Sequence, residues 1–577
     1  MSQLLCLIGF IATLLIGSLP AVAQTSSPTN QAGGSIKGIV VNESGRPLAN
    51  VQINMRRVGS LDFRNSTSTD REGKFEFNGL EPMAYELYPF LRGYAQLMRN
   101  DDADPLRHYH AGDSVRLVLI KGGIITGAVT NQAGEPVVGV PVRARMAHSS
   151  SPMPFPYNFF GPAASTDDRG IYRLYGLPEG TYVVWAGGGG EIHMSIDPFD
   201  ADVPTYAPSS TADTAAEITV RAGLESNADI RYRGERGHVV SGRASGPQER
   251  QPQGFAVLLT SVSGTGPQWE TRDGQAPEDR GFVFRGVDDG EYELTAISPP
   301  ANGELMLSTP RRIKVRGADV TGVELNVQPL SSVSGRVILE ESNATECSDK
   351  RRPRFTETVV SAQQNENELF KRNRELLWLL GTTVYPDEQG NLLLKNLPAG
   401  RYYFDTQFSG KDWYLKSLTF ASSETTAAKV TKPTDAARNW TTLKAGDRLS
   451  RLNITLAQGA ASLRGQIAFR EGETLPDNLY VYLVPAEKEK ADDPLRFYGA
   501  AVTSEGKLGL NHIAPGRYWV LAQSSTDETL SPLTTLRLPD EAAYRAKIRR
   551  DAEMAKTETE LKPCQKLVDF QVPVKHN

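Results

Sequence analysis

The histidines are the first place to look for chemistry. There are seven: His108, His110, His148, His193, His238, His512 and His576. A zinc hydrolase needs a close His/Glu ligand pair, a further ligand and an open position for water. None of the seven is followed three residues later by Glu, and Cys-x-x-Cys is absent. His108-Tyr109-His110 with Asp113 comes nearest to a metal cluster, because alternate residues of a strand face one side. An exposed loop is the competing account. Asp197, Asp200 and Asp202, and likewise Asp101, Asp102 and Asp104, offer oxygens to calcium. They lack the glycine and terminal glutamate of an EF-hand loop. Nucleophile chemistry finds no Gly-x-Ser-x-Gly elbow. Gly73-Lys74 and Gly506-Lys507 lack the Ser or Thr that follows in a phosphate loop. The sequence therefore assigns no catalytic residue, no metal site and no cofactor, and the chain reads as a non-enzyme.

Binding chemistry is better represented. Residues 152–162 read PMPFPYNFFGP and carry Phe155, Tyr157, Phe159 and Phe160. The prolines keep this stretch out of a central strand. Aromatic faces on a loop can stack on sugar rings or on a protein partner. The alternative is that they cover a sheet edge or pack on a neighbouring domain. Trp269, Trp413 and Trp440 are lesser candidates, with structural roles as the default. Lys350, Arg351, Arg352 and Arg354 form a basic knot, read either as a solvated loop or as a contact for anionic envelope polymers.

Composition limits the partners further. The chain has 577 residues, 63 Lys plus Arg, 68 Asp plus Glu and a net charge of −5. A mildly acidic chain of this kind lacks the basic face that nucleic acid requires. Leu4 to Leu19 form an apolar run, and Ala21 and Ala23 satisfy the small-residue rule for signal cleavage after Ala23. No Lys or Arg precedes the run, so an uncleaved anchor is the alternative. The run is shorter than the roughly 20 residues of a membrane span. The expectation is a secreted, periplasmic or cell-surface protein with no membrane span in the mature chain. Cleavage removes Cys6 and leaves Cys347 and Cys564. Export permits a disulfide between them, with two buried thiols as the alternative.

The positioning elements repeat. Five short alternating strands carry a central glycine, at Gly38, Gly127, Gly242, Gly335 and Gly465. Such a glycine marks a bulge or a close backbone approach. Lys37, beside the first, is an imaginable isopeptide lysine, but Thr126, Ser241, Ser334 and Arg464 stand at the equivalent positions. Each unit continues with a turn and an alternating strand. Asp167, Gly170, Tyr172, Leu174, Leu177, Gly180 and Tyr182 recur at the same offsets as Asp387, Gly390, Leu392, Leu394, Leu397, Gly400 and Tyr402. Asp bonds its own backbone two residues on and Gly takes positive φ, which makes Asp-x-x-Gly a tight turn. The tyrosine reads as a core-edge residue whose hydroxyl ties down a turn. A glycine turn and another alternating strand close most units, as at Gly112 before Val115-Leu117-Leu119. Short strands between Gly, Pro and Asp turns indicate β-sandwiches.

With these elements in view, GIVVNESGRPLANVQI, GAVTNQAGEPVVGVPV and DDRGIYRLYGLPEGTYVV resemble carboxypeptidase regulatory-like domains. The resemblance is strong in the first two units, fair in the fourth and fifth and weaker in the third. It implies small transthyretin-like, Greek-key β-sandwiches of the carbohydrate-binding-like group, and no peptidase activity. The resulting expectation is an all-β tandem array of about five such domains with a short C-terminal helix. The boundaries are signal 1–23, linker 24–34, and sandwiches 35–120, 121–235, 236–330, 331–458 with an insertion, and 459–577. Helices are expected over 363–380 and 541–559, the second capped by Asp540 and stopped by Pro563, with a last strand near Leu567–Val572. Short linkers predict a rod or an arc. Functionally, the expectation is a non-catalytic exported binding or adhesion protein whose partner is a glycan, a cell-envelope component or a protein. A structural spacer, an accessory subunit of a secreted enzyme and a degenerate enzyme are the alternatives.

Overall fold

The computed structural model describes residues 34–58, 65–96, 108–147, 163–188, 198–247, 255–262, 281–301, 304–364, 382–408, 410–421, 433–468, 475–476, 478–503, 505–524 and 536–573. The leader and the aromatic segment 152–162 lie outside them. So does the helix expected over 363–380, except Gln363 and Gln364, which end the strand Thr358–Gln364.

The described residues are mostly strand, arranged in nine sheets. One arrangement recurs through them. An opening strand lies between an antiparallel and a parallel neighbour. Gly34–Val41 pairs antiparallel with Lys74–Leu80 and parallel with Ser114–Lys121. Gly123–Thr130, His238–Ser245, Ser331–Glu340 and Ala461–Ala468 do the same with their own following and closing strands. Opposite this sheet lies a second, built on antiparallel pairs such as Gln52–Arg57 with Ala84–Phe90 and Thr358–Gln364 with Gly400–Phe408. In the stretch 238–329 the two sheets are joined into one of seven strands, because Glu304–Ser308 pairs with both Gly290–Ala301 and Val320–Pro329. Alternation puts one side chain in two between the sheets. Each pair thereby encloses its own apolar cluster, such as Ile36, Ile53, Phe75 and Tyr85, or Val333, Leu394, Tyr402 and Ile454.

The repeated residues have visible causes. The central glycine of each opening strand sits where the closing strand's backbone comes closest. A Cβ on Gly335 would lie 2.2 Å from the Leu452 carbonyl oxygen, and one on Gly242 would lie 2.0 Å from that of Val323. The Asp-x-x-Gly turns form as drawn: Asp167 Oδ1 accepts from the amides of Arg169 and Ile171, and Gly170 has φ +75°. Thr503 substitutes for the aspartate by accepting from the Lys507 amide at 3.1 Å. All five tyrosines donate to the carbonyl four residues earlier. The bonds are Tyr85 to Glu81 at 3.0 Å, Tyr182 to Pro178 at 2.9 Å and Tyr292 to Asp288 at 2.9 Å. Tyr402 reaches Pro398 at 2.7 Å and Tyr518 reaches Ala514 at 2.6 Å. This is the geometry of a tyrosine corner, which anchors the turn while the ring fills the core.

The C-terminal region departs from expectation. The helix runs Ala542–Ala555, preceded by a 3-10 turn, Pro539–Glu541. Glu541 is its N-cap residue and makes no side-chain cap bond. Asp540 instead pairs with Arg401 at 3.2 Å. Left-handed Lys556 ends the helix, well before Pro563, because Glu558–Leu561 is needed as a strand against Gly516–Ser524. Ile548 and Ala552 pack on Tyr482, Val484 and Phe497, covering the outer face of the sheet. The final strand, Lys566–Pro573, runs parallel to Ala461–Ala468.

The chain is not an open rod. Thr356 Oγ1 donates to the Pro82 carbonyl at 2.5 Å, His110 Nε2 lies 3.3 Å from the Glu357 carbonyl, and Val58, Ala84 and Val359 form a buried apolar cluster. The first stretch of sandwich thus touches the 331–458 stretch, and the arc closes on itself.

Replacing Tyr402 by Phe removes one buried hydrogen bond and is expected to cost about 1–1.5 kcal/mol. Gly335→Ala forces a Cβ against backbone and is expected to cost about 2–3 kcal/mol. Scanning calorimetry on both, with exposed Tyr175→Phe as the neutral control, checks this order.

Candidate functional site

The side chains singled out for chemistry that lie among the described residues are mostly engaged within their own sandwich, and His110 and the two cysteines join one sandwich to another. Phe155, Tyr157, Phe159 and Phe160 lie outside the described residues, as do Asp101, Asp102, Asp104, Asp197 and Trp269. Asp202 accepts from the Tyr232 hydroxyl at 2.9 Å and pairs with Arg236 at 3.1 Å. Lys37 forms an exposed ion pair with Glu76 at 3.0 Å. Two of the four cations of the basic knot are paired locally. Arg351 pairs with buried Glu357, whose carboxylate also accepts from the Arg354 amide, and Arg352 pairs with Glu341 at 3.4 Å. Trp413 is fully buried and donates to the Arg351 carbonyl at 3.3 Å, and Trp440 packs edge-on to Tyr403 with the Arg401 guanidinium over it. Cys347 and Cys564 are joined, with Cα atoms 5.6 Å apart.

His108 and His110 do not converge on one point. His110 lies on the strand Tyr109–His110 and reaches the Glu357 carbonyl, with its Nδ1 4.0 Å from Asp113. Burial pushes its pKa down, and the carboxylate of Asp113 only partly opposes this. His108 points elsewhere, its Nε2 3.8 Å from Glu86. No group of three or more His, Cys, Asp or Glu among the described residues is placed to hold a metal ion.

His108 belongs to a polar cluster that no sequence motif marks. Register places Arg56 opposite Glu86 and Asn54 opposite Tyr88 on the outer face of the sheet. Arg56 and Glu86 form a buried ion pair, and the Tyr88 hydroxyl donates to the same carboxylate oxygen at 2.8 Å. Burial alone would raise the Glu86 pKa. The contacts with His108, Arg56 and Tyr88 outweigh it and hold the carboxyl below its ordinary value. Burial, and then the Glu86 charge, push the Tyr88 phenol up. The available signal is a charged pair alternating with core residues, Arg56 after Met55 and Glu86 after Tyr85, with Glu86 the one charged residue of its strand Ala84–Phe90.

The junctions reuse one position of the repeat. The penultimate residue of each strand that follows the turn is left-handed: Gly79, Gly176, Gly286, Asn396 and His512. Gly176 abuts the Tyr94 carbonyl and linker Gly122, and Gly286 abuts the carbonyls of Asp200 and Asp202. Asn396 accepts from the Leu305 amide at 3.4 Å. His512 Nδ1 lies 2.9 Å from the Trp413 carbonyl, with the ring edge-on to Phe408 at 4.7 Å. Each contact is with the preceding sandwich. Gly79, in the first, has nothing within 4 Å of the site its Cβ would occupy.

This geometry fits one comparison. Residues 35–104 match the carboxypeptidase regulatory-like domain. No curated protein matches the chain. Among solved structures, two B repeat units of the collagen binding protein of Staphylococcus aureus are 12% identical, with 74% of this chain and 99% of that chain covered and a TM-score of 0.14. The Bacillus anthracis TIE protein is 10% identical over 71% of this chain and 69% of its own, with a TM-score of 0.14. A minor pilin of Streptococcus agalactiae is 13% identical over 36% and 97%, with a TM-score of 0.19. Overlaps of this size carry no functional argument for this chain. The regulatory-like domain at 35–104 includes Arg56, Glu86 and Tyr88.

The Glu86 carboxyl is held below its unfolded value. Its contribution is therefore present above the unfolded carboxylate pKa and lost as pH falls through the folded one. Glu86→Leu takes the carboxylate from buried Arg56 and is expected to cost about 3–5 kcal/mol at pH 7. The difference from wild type should shrink as pH is lowered below about 4. Calorimetry across pH 3–7 checks both parts.

Proposed function

We propose that this chain is an exported, non-catalytic binding or adhesion protein of five tandem carboxypeptidase regulatory-like sandwiches. The boundaries fall at 35–120, 121–235, 236–330, 331–458 and 459–577, with transthyretin-like, Greek-key connectivity and a leader cleaved after Ala23. The observation that carries this reading is the use of the polar side chains. Asp202, His110, Glu357, His512 and Trp413 are engaged in hydrogen bonds within and between sandwiches. A scaffold stiffened in this way suits the presentation of loops to a partner. The partner class we favour is a glycan of the cell envelope, met by the aromatic faces of Phe155, Tyr157, Phe159 and Phe160. Aromatic rings on a loop supply large, low-entropy contact area for such a ligand.

The regulatory-like match at 35–104 favours a second reading, an accessory subunit of a secreted enzyme. A glycan array with the exported chain separates the two. The expected result is binding to a defined glycan class that Tyr157→Ala combined with Phe159→Ala weakens at least tenfold, about 1.4 kcal/mol. An array without hits, together with recovery of one secreted enzyme in stoichiometric complex, supports the accessory reading instead.

A further inference from the structure

A cavity lies at the joint between the 331–458 and 459–577 stretches. Tyr403, Asp405, Leu415 and Leu418 wall it on one side, and Leu495 and Arg537 on the other. The sheet leaves room for it. Thr441–Leu443 pairs with Gly400–Tyr402 and no further, so among the described residues no strand covers that edge from Tyr403 to Asp405. The next sandwich closes the gap. Its 3-10 turn Pro494–Arg496, capped by Asp493 accepting from the Leu495 amide at 3.1 Å, puts Leu495 into the apolar cluster of the preceding sandwich. The Arg496 guanidinium lies 5.8 Å from the centre of the Tyr414 ring, and Cys347–Cys564 joins the same two stretches. The two walls are therefore held in a fixed relation. Arg537 is placed from behind. Arg545 donates to the carbonyls of Leu536 and Leu538, on either side of it, at 3.2 and 2.6 Å. The Arg537 guanidinium carbon is 5.8 Å from the centre of the Tyr498 ring.

The cavity brings a carboxylate and a guanidinium to one space without pairing them. Asp405 Oδ1 accepts from the Thr406 amide at 2.8 Å, and among the described residues neither Asp405 nor Arg537 has an ion-pair partner. The rest of the wall is chiefly apolar, with Leu415, Leu418 and Leu495 supplying most of it. Burial, and then the Asp405 charge, push the Tyr403 phenol up to about 12, so this wall residue stays protonated near neutral pH. We propose that the cavity binds a small zwitterion with an apolar side chain, of the class of leucine, with its ammonium on Asp405, its carboxylate on Arg537 and its side chain on the three leucines. Each charge of such a ligand meets its opposite, and a charge-assisted hydrogen bond forms at each end. A ligand with one charge answers one end only. The cavity spans about 320 Å³ counting its open mouth, at the small end of ligand sites, which suits a molecule of this size. Walls fixed before binding spare the ligand the cost of ordering them. Both sandwiches contribute, so the bound molecule also ties the joint. Occupancy of this cavity is independent of any glycan bound elsewhere.

The test is isothermal titration calorimetry on the full exported chain with L-leucine, isocaproate and isoamylamine as probes. Isocaproate lacks the ammonium of leucine, and isoamylamine lacks its carboxylate. The expected result is saturable binding of L-leucine, with each half-ligand about tenfold weaker or worse. Asp405→Asn is expected to bring leucine down to the level of isocaproate, whose own binding stays unchanged. Arg537→Gln is expected to bring leucine down to the level of isoamylamine, again with the half-ligand unchanged. No saturable heat with L-leucine overturns the inference. So does leucine binding retained to within about twofold in both variants, or half-ligands that bind as tightly as leucine. If either variant fails to fold by circular dichroism, the three probes on the wild type decide.

Discussion

The parallel closing strand is the constraint on which the other features rest. In each repeat the chain enters through the opening strand and returns beside it in the same direction, as Arg448–Gln458 does along Ser331–Glu340. A parallel return means the chain leaves at the end opposite to where it entered. The next opening strand follows within a few residues, as Gly123 follows Lys121 and Ala461 follows Gln458. Successive sandwiches are therefore set end to end. The close approach of the two backbones explains why the opening strand has glycine at its centre, where the Leu452 and Val323 carbonyls leave no room for a Cβ.

That arrangement also decides where polar groups are needed. The linkers donate back into the sandwich they have just left: Gly122 to Gly93 at 2.9 Å, Gly237 to Ala201 at 3.0 Å and Gly459 to Asp412 at 2.8 Å. The left-handed residue of the next sandwich then packs on the same place. Burial makes these bonds costly to leave unmade, and the joints gain definite geometry from it. The chain turns through these joints far enough that the 331–458 stretch meets the first sandwich. The segment 341–357 occupies that meeting place, joined covalently to the last sandwich and by hydrogen bonds to the first.

Much of the local structure was legible because its causes are local. The Asp-x-x-Gly turns follow from a carboxylate accepting two nearby amides, and the tyrosine offsets from a hydroxyl reaching four residues back. Other features were not. Asp540 has the residue type of a helix cap, but Arg401, distant in sequence, takes its carboxylate. Gly79, Gly176, Gly286, Asn396 and His512 share one place in the repeat, yet three residue types hide it, and its meaning depends on a neighbour outside the repeat itself. His108 and His110 look like a pair because they alternate. One turns to Glu86 and the other to Glu357, 247 residues away from it.

Residues close in the chain suffice to set the turns and the five tyrosine anchors, which rest on backbone conformation and short-range hydrogen bonds, and the alternation that marks the strands, whose pairing is long-range. They also carry the regulatory-like likeness of the first stretch, because that likeness consists of the same turn and strand residues. Long-range packing alone selects which polar groups are buried together and whether the array runs straight or closes. Arg56, Glu86 and Tyr88 become a cluster through strand register, and Thr356 meets Pro82 through the summed angles of several joints. Small rotations at each joint add along the chain, and no local pattern of residues fixes their total.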